Sequence, residues 1–229
     1  DLHSFPTRRS SDLLSRGSTM LYEFCAENLT LVDKALEAGA RRIELCDNLT
    51  VGGTTPSFGV IEAVVRMVQP YDATVMTMIR PRGGDFVYSD LEIEIMLSDI
   101  QKAREAGSHG LVFGVLTENN EIDYPKMERL LEAAQGLEVV FHMAFDAIPA
   151  EYQFGELDWL VEHGVKRILT HGGPAAESIL EHLAWLDELI EHAAGRIEIL
   201  PGGGINLDNR AEIADTLGVD QLHGTRVVF

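Results

Sequence analysis

Ala38-Gly39-Ala40-Arg41-Arg42-Ile43-Glu44-Leu45-Cys46 decides the fold of this 229-residue chain. A glycine that stops a helix is followed within three residues by a short run of strand-forming type. The same punctuation recurs as Ala-Gly-Ser at 106–108, His-Gly-Val at 163–165 and Leu-Gly-Val at 217–219, each just ahead of another apolar run. Strand-like runs fall at 21–26, 42–46, 74–80, 110–116, 138–145, 167–171, 197–200 and 220–224, starting about 28 residues apart. That interval accommodates one strand, one helix and two loops, the repeat of a parallel sheet. Amphipathic or helix-favouring stretches lie between the runs at 29–38, 58–68, 89–106, 127–134, 157–162, 176–192 and 209–217. Ser57, after Pro56, is placed to cap the second of these.

Eight such units predict an α/β fold of parallel strands, a TIM-like (β/α)8 barrel. An open doubly wound sheet is the alternative, but no GxGxxG follows the first run. Only residues 225–229 follow the eighth run, so the eighth helix is expected to be missing. Either the chain is truncated or the gap between strands 8 and 1 is covered by another subunit. Residues 1–19, rich in Arg and Ser without amphipathic period, read as a disordered, non-native leader, with Met20 as the natural start of a single domain over 20–229.

Composition narrows the function. The chain is 45% hydrophobic and carries a formal charge of −19. Such a field repels nucleic-acid phosphates and anionic lipid, and no apolar run is long enough for a membrane span. A cytoplasmic location is the default. Two cysteines, Cys25 and Cys46, allow neither a disulfide framework nor a four-cysteine zinc site.

Alternation along the strands sorts the side chains. Glu23 and Cys25 share one face, as do Glu44 and Cys46, then Met76, Met78 and Arg80, then His142, Ala144 and Asp146. The opposite faces hold Tyr22, Phe24, Ile43, Leu45, Val75, Ile79, Val139 and Phe141, suited to packing under helices. The charged and sulfur-bearing set therefore faces the barrel interior. Buried charges there must pair. A Glu44–Arg80 ion pair with a satisfied core histidine is the structural reading. A functional cluster is the other, because perturbed ionisable groups concentrate at active sites.

The strand ends add to this. Arg80, Arg82 and Asp85 lie in Arg-Pro-Arg-Gly-Gly-Asp-Phe after the third run, and Gly202, Gly203 and Gly204 follow the seventh. Glycine-exposed N–H groups after strand 7 are a recurrent phosphate site in barrels, and equally a tight turn requiring positive φ. An enzyme acting on a small anionic metabolite would use Glu23, Arg80, Arg82, Asp85 and the glycine loop to hold its ligand. Glu44, His142 and Asp146 would serve as acid and base. A Schiff-base aldolase is disfavoured, since Lys166 precedes strand 6 and Lys34, Lys102 and Lys126 fall on predicted helices. Glu23, Glu44, His142 and His223 could instead hold a harder divalent ion. A noncatalytic interaction protein has only the acidic surface in its favour.

Four motifs in order carry a family likeness: Arg42-Ile43-Glu44-Leu45-Cys46, Gly52-Gly53-Thr54-Thr55-Pro56-Ser57, Met78 through Phe86, and Pro201-Gly202-Gly203-Gly204-Ile205. From Met20 to about Thr225 the chain resembles the CutC family, called copper homeostasis proteins. The resemblance implies a cytoplasmic TIM-like barrel, a homo-oligomer, and copper bound by two cysteines that match Cys25 and Cys46. Cu(I) prefers such soft ligands, and Met76 or Met78 could add a thioether. A register setting Glu23 beside Glu44 and Cys25 beside Cys46 would bring both sulfurs to one ion. The family commonly has His-Arg-Ala-Phe-Asp where this chain has His142-Met143-Ala144-Phe145-Asp146; alternation turns Met143 toward the helix layer.

Overall fold

The computed structural model describes residues 20–229; the expectations for the leader and for Met20 as the natural start concern residues outside that range or the chain's beginning. Eight parallel strands form the barrel: β1 Leu21–Glu27, β2 Arg42–Cys46, β3 Thr74–Met78, β4 Gly110–Val112, β5 Glu138–Phe141, β6 Arg167–Thr170, β7 Glu198–Pro201 and β8 Gln221–Gly224. They are hydrogen-bonded in the order β7-β6-β5-β4-β3-β2-β1-β8, and a parallel bridge between Gly202 and His223 joins the two ends. The helices between them are α1 Val32–Glu37, α2 Phe58–Val68, α3 Asp90–Glu105, α4 Tyr124–Ala133, α5 Ala150–Glu162, α6 Leu183–Ala193 and α7 Arg210–Leu217.

Local chemistry sets the helix starts. The Ser57 hydroxyl accepts from Val60 N at 3.2 Å, as its position after Pro56 suggests. Ser89 and Glu92 form a reciprocal capping box at the head of α3. Asp123 caps α4 with a bond from Lys126 N.

Two apolar layers result. Outward residues Phe24, Ile43, Leu45, Val75, Ile79, Leu111, Val139 and Phe141 pack under the helices. The inner layer is small and sulfur-rich: Cys25, Cys46, Met76, Met78, Val112, Val140, Leu169 and Leu200. Strand alternation thus divides the side chains as the sequence pattern indicates. After β8 no helix follows among the described residues. Val227 and Val228 are buried, and Phe229 lies 5.5 Å from Phe24, so the final segment covers the outer face of β1.

Three expectations about strand length need correction. The third, fourth and fifth runs end at Met78, Val112 and Phe141, earlier than their apolar character suggests. Beyond Phe141, a 3-10 turn over Met143–Ala147 breaks the alternation.

Glycines on β4 and α5 give a paired prediction. A Cβ on Gly110 would lie 2.5 Å from Met76 Sδ and 2.9 Å from the Glu138 carbonyl oxygen, whereas one on Gly155 meets nothing within 4 Å. Gly110→Ala should lower stability by about 1–3 kcal/mol through overpacking. Gly155→Ala, inside an exposed helix face, should raise it by about 0.5–1 kcal/mol. Urea unfolding of the two variants reads both signs.

Candidate functional site

The inward side chains of β1, β2 and β8 form one polar network at the barrel axis. In the observed register Glu23 lies opposite Arg42 and His223, and Cys25 opposite Glu44. Glu23, 1% exposed, accepts from Arg42 Nε through one oxygen and pairs with His223 Nδ1 at 2.7 Å through the other. Arg42 Nη2 also donates to Gln221 Oε1 at 2.7 Å. Burial raises the Glu23 carboxyl, but the Arg42 charge and the His223 hydrogen bond outweigh it and bring it down to about 2.

The register corrects the expected pairing of Glu23 with Glu44 and Cys25 with Cys46. Neighbouring strands of a closed barrel are staggered. Here the offset is two residues, which sets Cys46 opposite Glu27 and leaves Glu44 between the two thiols. Glu44 Oε1 lies 3.6 Å from Cys25 Sγ and 3.5 Å from Cys46 Sγ. One ligand atom from each of the three residues falls within 4.8 Å of the others.

Charge is unevenly distributed within this group. Burial pushes the Glu44 carboxyl up to about 8 against the opposing pull of His223. The Cys46 thiol, by its hydrogen bond and against burial, brings Cys25 down to about 5, with further help from His223. Cys46 itself rises well above the usual thiol range, because it donates to Cys25 and is buried. His223 is raised in spite of burial, chiefly by the Glu44 charge. A thiolate at Cys25 beside a protonated His223 is the arrangement these forces favour.

Above the thiols a cavity of about 400 Å³ opens at the C-terminal ends of the strands, where barrel proteins place their chemistry. Glu44, Arg80, His142, Met78, Phe86 and Met143 are among its walls. Arg80 and Glu44 do not form the expected ion pair. Arg80 Nη1 instead donates to the carbonyls of Val51 (2.6 Å) and Gly53 (2.9 Å), and Nη2 to that of Gly84 (2.9 Å). His142 Nδ1 accepts from Ala144 N at 3.2 Å, and burial followed by the Arg80 charge lowers the ring to about 3, so it stays neutral. Gly114 makes room for that ring: a Cβ there would meet His142 Cε1 at 2.9 Å.

Other residues singled out in the sequence stand elsewhere. Asp146 is not among the cavity's lining residues; one carboxylate oxygen accepts from Thr170 Oγ1 and the other from His171 N at 3.0 Å, tying the 3-10 turn to β6. Met143 turns into the cavity, not toward the helices. Both departures follow from the loss of alternation after Phe141. Arg82 binds Glu92, Asp85 and the Val87 carbonyl outside the cavity, and Asp85 is exposed beside it. Gly202, Gly203 and Gly204 form the turn after β7, with φ of +91° at Gly203 and +77° at Gly204. Gly203 and Gly204 line a smaller recess of about 220 Å³, which shares Met143, His223 and Thr225 with the main cavity. The sequence pattern assigns no role of their own to Arg42, Gln221 and Phe86. Arg42 was within reach of one, having the same alternation as Glu44 and Cys46.

A family model described as the CutC family matches residues 20–228. The chain belongs to the CutC family. It is 53% identical over 209 residues to the CutC family protein of Enterococcus faecalis, covering 91% of this chain and all of that one. It is 44% identical over 203 residues to the human protein named copper homeostasis protein cutC homolog, covering 89% of this chain and 72% of its relative. A solved CutC structure from Streptococcus agalactiae superposes with a TM-score of 0.88 at 50% identity, over 91% of this chain and 99% of that one. A deoxyribose phosphate aldolase from Aeropyrum pernix superposes at 0.63 and 15% identity, over 90% and 86%; that likeness is one of fold. CutC membership thus rests on the whole barrel, including the strands that carry Cys25, Glu44 and Cys46.

The Glu23 pairing sets a pH dependence. A carboxyl held at about 2 when folded and at 4.5 without its partners stabilises the fold above that ordinary value, and the stabilisation is lost as pH falls toward 2. Glu23→Gln should cost about 3–5 kcal/mol at pH 7, because it leaves Arg42 and His223 buried with no counter-charge. It should also flatten the acid limb of stability between the same two values. Urea unfolding from pH 2 to 7 measures both.

Proposed function

We propose that this chain binds Cu(I) as its cargo, in a copper homeostasis role, at Cys25, Cys46 and Glu44. The observation that carries the reading is the convergence of two thiols and one carboxylate within 4.8 Å on the inner wall of the barrel. Metal–thiolate bonds of about 2.3 Å span about 4.6 Å between two sulfurs, so one ion can reach both. Soft sulfur ligands select Cu(I) over harder divalent ions, and the thioethers of Met76 and Met78 stand in the same apolar cluster. The name of the human relative, copper homeostasis protein, supports the same reading.

The donors are chemically prepared for a monovalent cation. Metal ligation needs thiolates. Cys25 is drawn to that form by Cys46 and His223. Cys46 must release its proton, and the protonated His223 offsets part of the negative charge that the ligands and one monovalent ion leave behind. Cys46 is fully enclosed, while Cys25 borders the cavity and gives an ion a way in. Free thiols at this position suit the reducing cytoplasm, and among the described residues no helix is long and apolar enough to cross a membrane.

Anaerobic titration against a Cu(I) chelator should find one ion per chain. Cys25→Ser/Cys46→Ser should lose more affinity than the roughly 10–100-fold that removal of an outer-shell partner costs. Circular dichroism should show the variant folded. Unchanged affinity in the folded double variant would remove the copper reading.

A further inference from the structure

Three buried polar atoms around the cavity have no partner in the protein: Arg80 Nε, His142 Nε2 and Glu44 Oε2. Buried polar atoms are nearly always paired, so three on residues that line one cavity call for an explanation. Arg80 is the strongest of them. It is 5% exposed, and its guanidinium donates to the carbonyls of Val51, Gly53 and Gly84, with the Tyr88 hydroxyl as a further neutral neighbour. Among the described residues no carboxylate lies within ion-pair distance of it. Carbonyl dipoles solvate a cation without neutralising it, and a buried cation without a counter-charge is costly.

His142 adds a directed donor. Its Nδ1 accepts the Ala144 N–H, so the ring proton resides on Nε2, the atom without a partner. Phe86 lies against both groups, its ring centroid 5.1 Å from the Arg80 guanidinium carbon and 4.9 Å from the His142 ring. Leu49, Val51, Met78 and Leu169 supply apolar wall, and His223, already paired with Glu23, and Thr225 stand beside them. A volume of about 400 Å³ is that of a small-molecule site, and few polar groups in an apolar wall are how such sites fix orientation.

The complement of these walls can be specified. Two N–H donors, one on an unneutralised cation, match the two oxygens of a carboxylate. The Glu44 carboxyl group matches a hydroxyl. We propose that this cavity binds a compact hydroxy carboxylate, its carboxylate facing Arg80 and His142 and its hydroxyl facing Glu44. A carboxylate fits better than a phosphate ester, because only one cation is unneutralised here. Arg82, the other guanidinium of the loop, is engaged by Glu92 and Asp85 outside. The site is argued from the cavity's own geometry and not from the copper reading, although Glu44 serves in both.

Calorimetric titration of the full chain, reduced and with copper chelated, tests this with glycerate, gluconate, their amides, and glycerol 3-phosphate as probes. One of the two carboxylates should bind once per chain, with its amide and the phosphate ester at least about tenfold weaker, the worth of one charge-assisted hydrogen bond. His142→Phe should weaken that carboxylate by about tenfold, and Arg80→Gln by more. Arg80 also ties down two loops, so should Arg80→Gln not fold, the probe series and His142→Phe decide. Absence of saturable carboxylate binding, equal affinity for the amide, tighter binding of the phosphate ester, or affinity unaltered in folded His142→Phe would each overturn the proposal.

Discussion

Glu23 is the residue on which the barrel's interior depends. It lies on β1, between β2 and β8, and receives Arg42 from one neighbour and His223 from the other. Charged groups inside a barrel take positions normally filled by branched apolar side chains. They are tolerated there only when each finds its counterpart. Arg42 reaches on to Gln221 of β8, so the same pairing spans three strands beside the seam where β7 and β8 meet at a single bridge. The network therefore anchors β8, the strand on one side of that seam, to β1 and β2.

Stagger between strands then determines what chemistry the interior can offer. Because β2 is displaced by two residues against β1, Glu44 stands between Cys25 and Cys46, within reach of both. Gly110 on β4 and Gly114 just after it lack side chains, which leaves space for Met76 and His142. A barrel filled in all its layers would have no cavity. This one is hollow at the C-terminal end, with Glu44, Arg80 and His142 among the walls of the hollow.

Much of this could be read from the order of residues. Period-two alternation separates Glu23, Cys25, Glu44 and Cys46 from Tyr22, Phe24, Ile43 and Leu45, and the glycine-stopped helices space the strands for a barrel. The errors cluster where alternation ceases. Residues 143–145 continue the apolar character of β5, yet the chain enters a 3-10 turn at Met143, which turns that side chain inward and carries Asp146 away to Thr170 and His171. No local residue signals that change. Register is equally hidden, since it depends on barrel closure and not on either strand alone. The Arg80 carbonyl cage needs loops from β2 and β3 to meet, a long-range event that composition does not encode.

Two histidines in one cavity make the charge arrangement measurable. His223 is held in its protonated form by acids and a thiol around it, while His142, beside Arg80, is kept neutral by burial and by that charge. A pH titration of the chain labelled with carbon-13 in its imidazole rings, followed by NMR and assigned with single histidine variants, reports each directly. The paired interior predicts opposite departures: His223 still charged well above pH 6.5, and His142 still neutral well below it. If both rings titrate together near their ordinary value, the interior charges are not paired as described, and the account of the barrel fails with them.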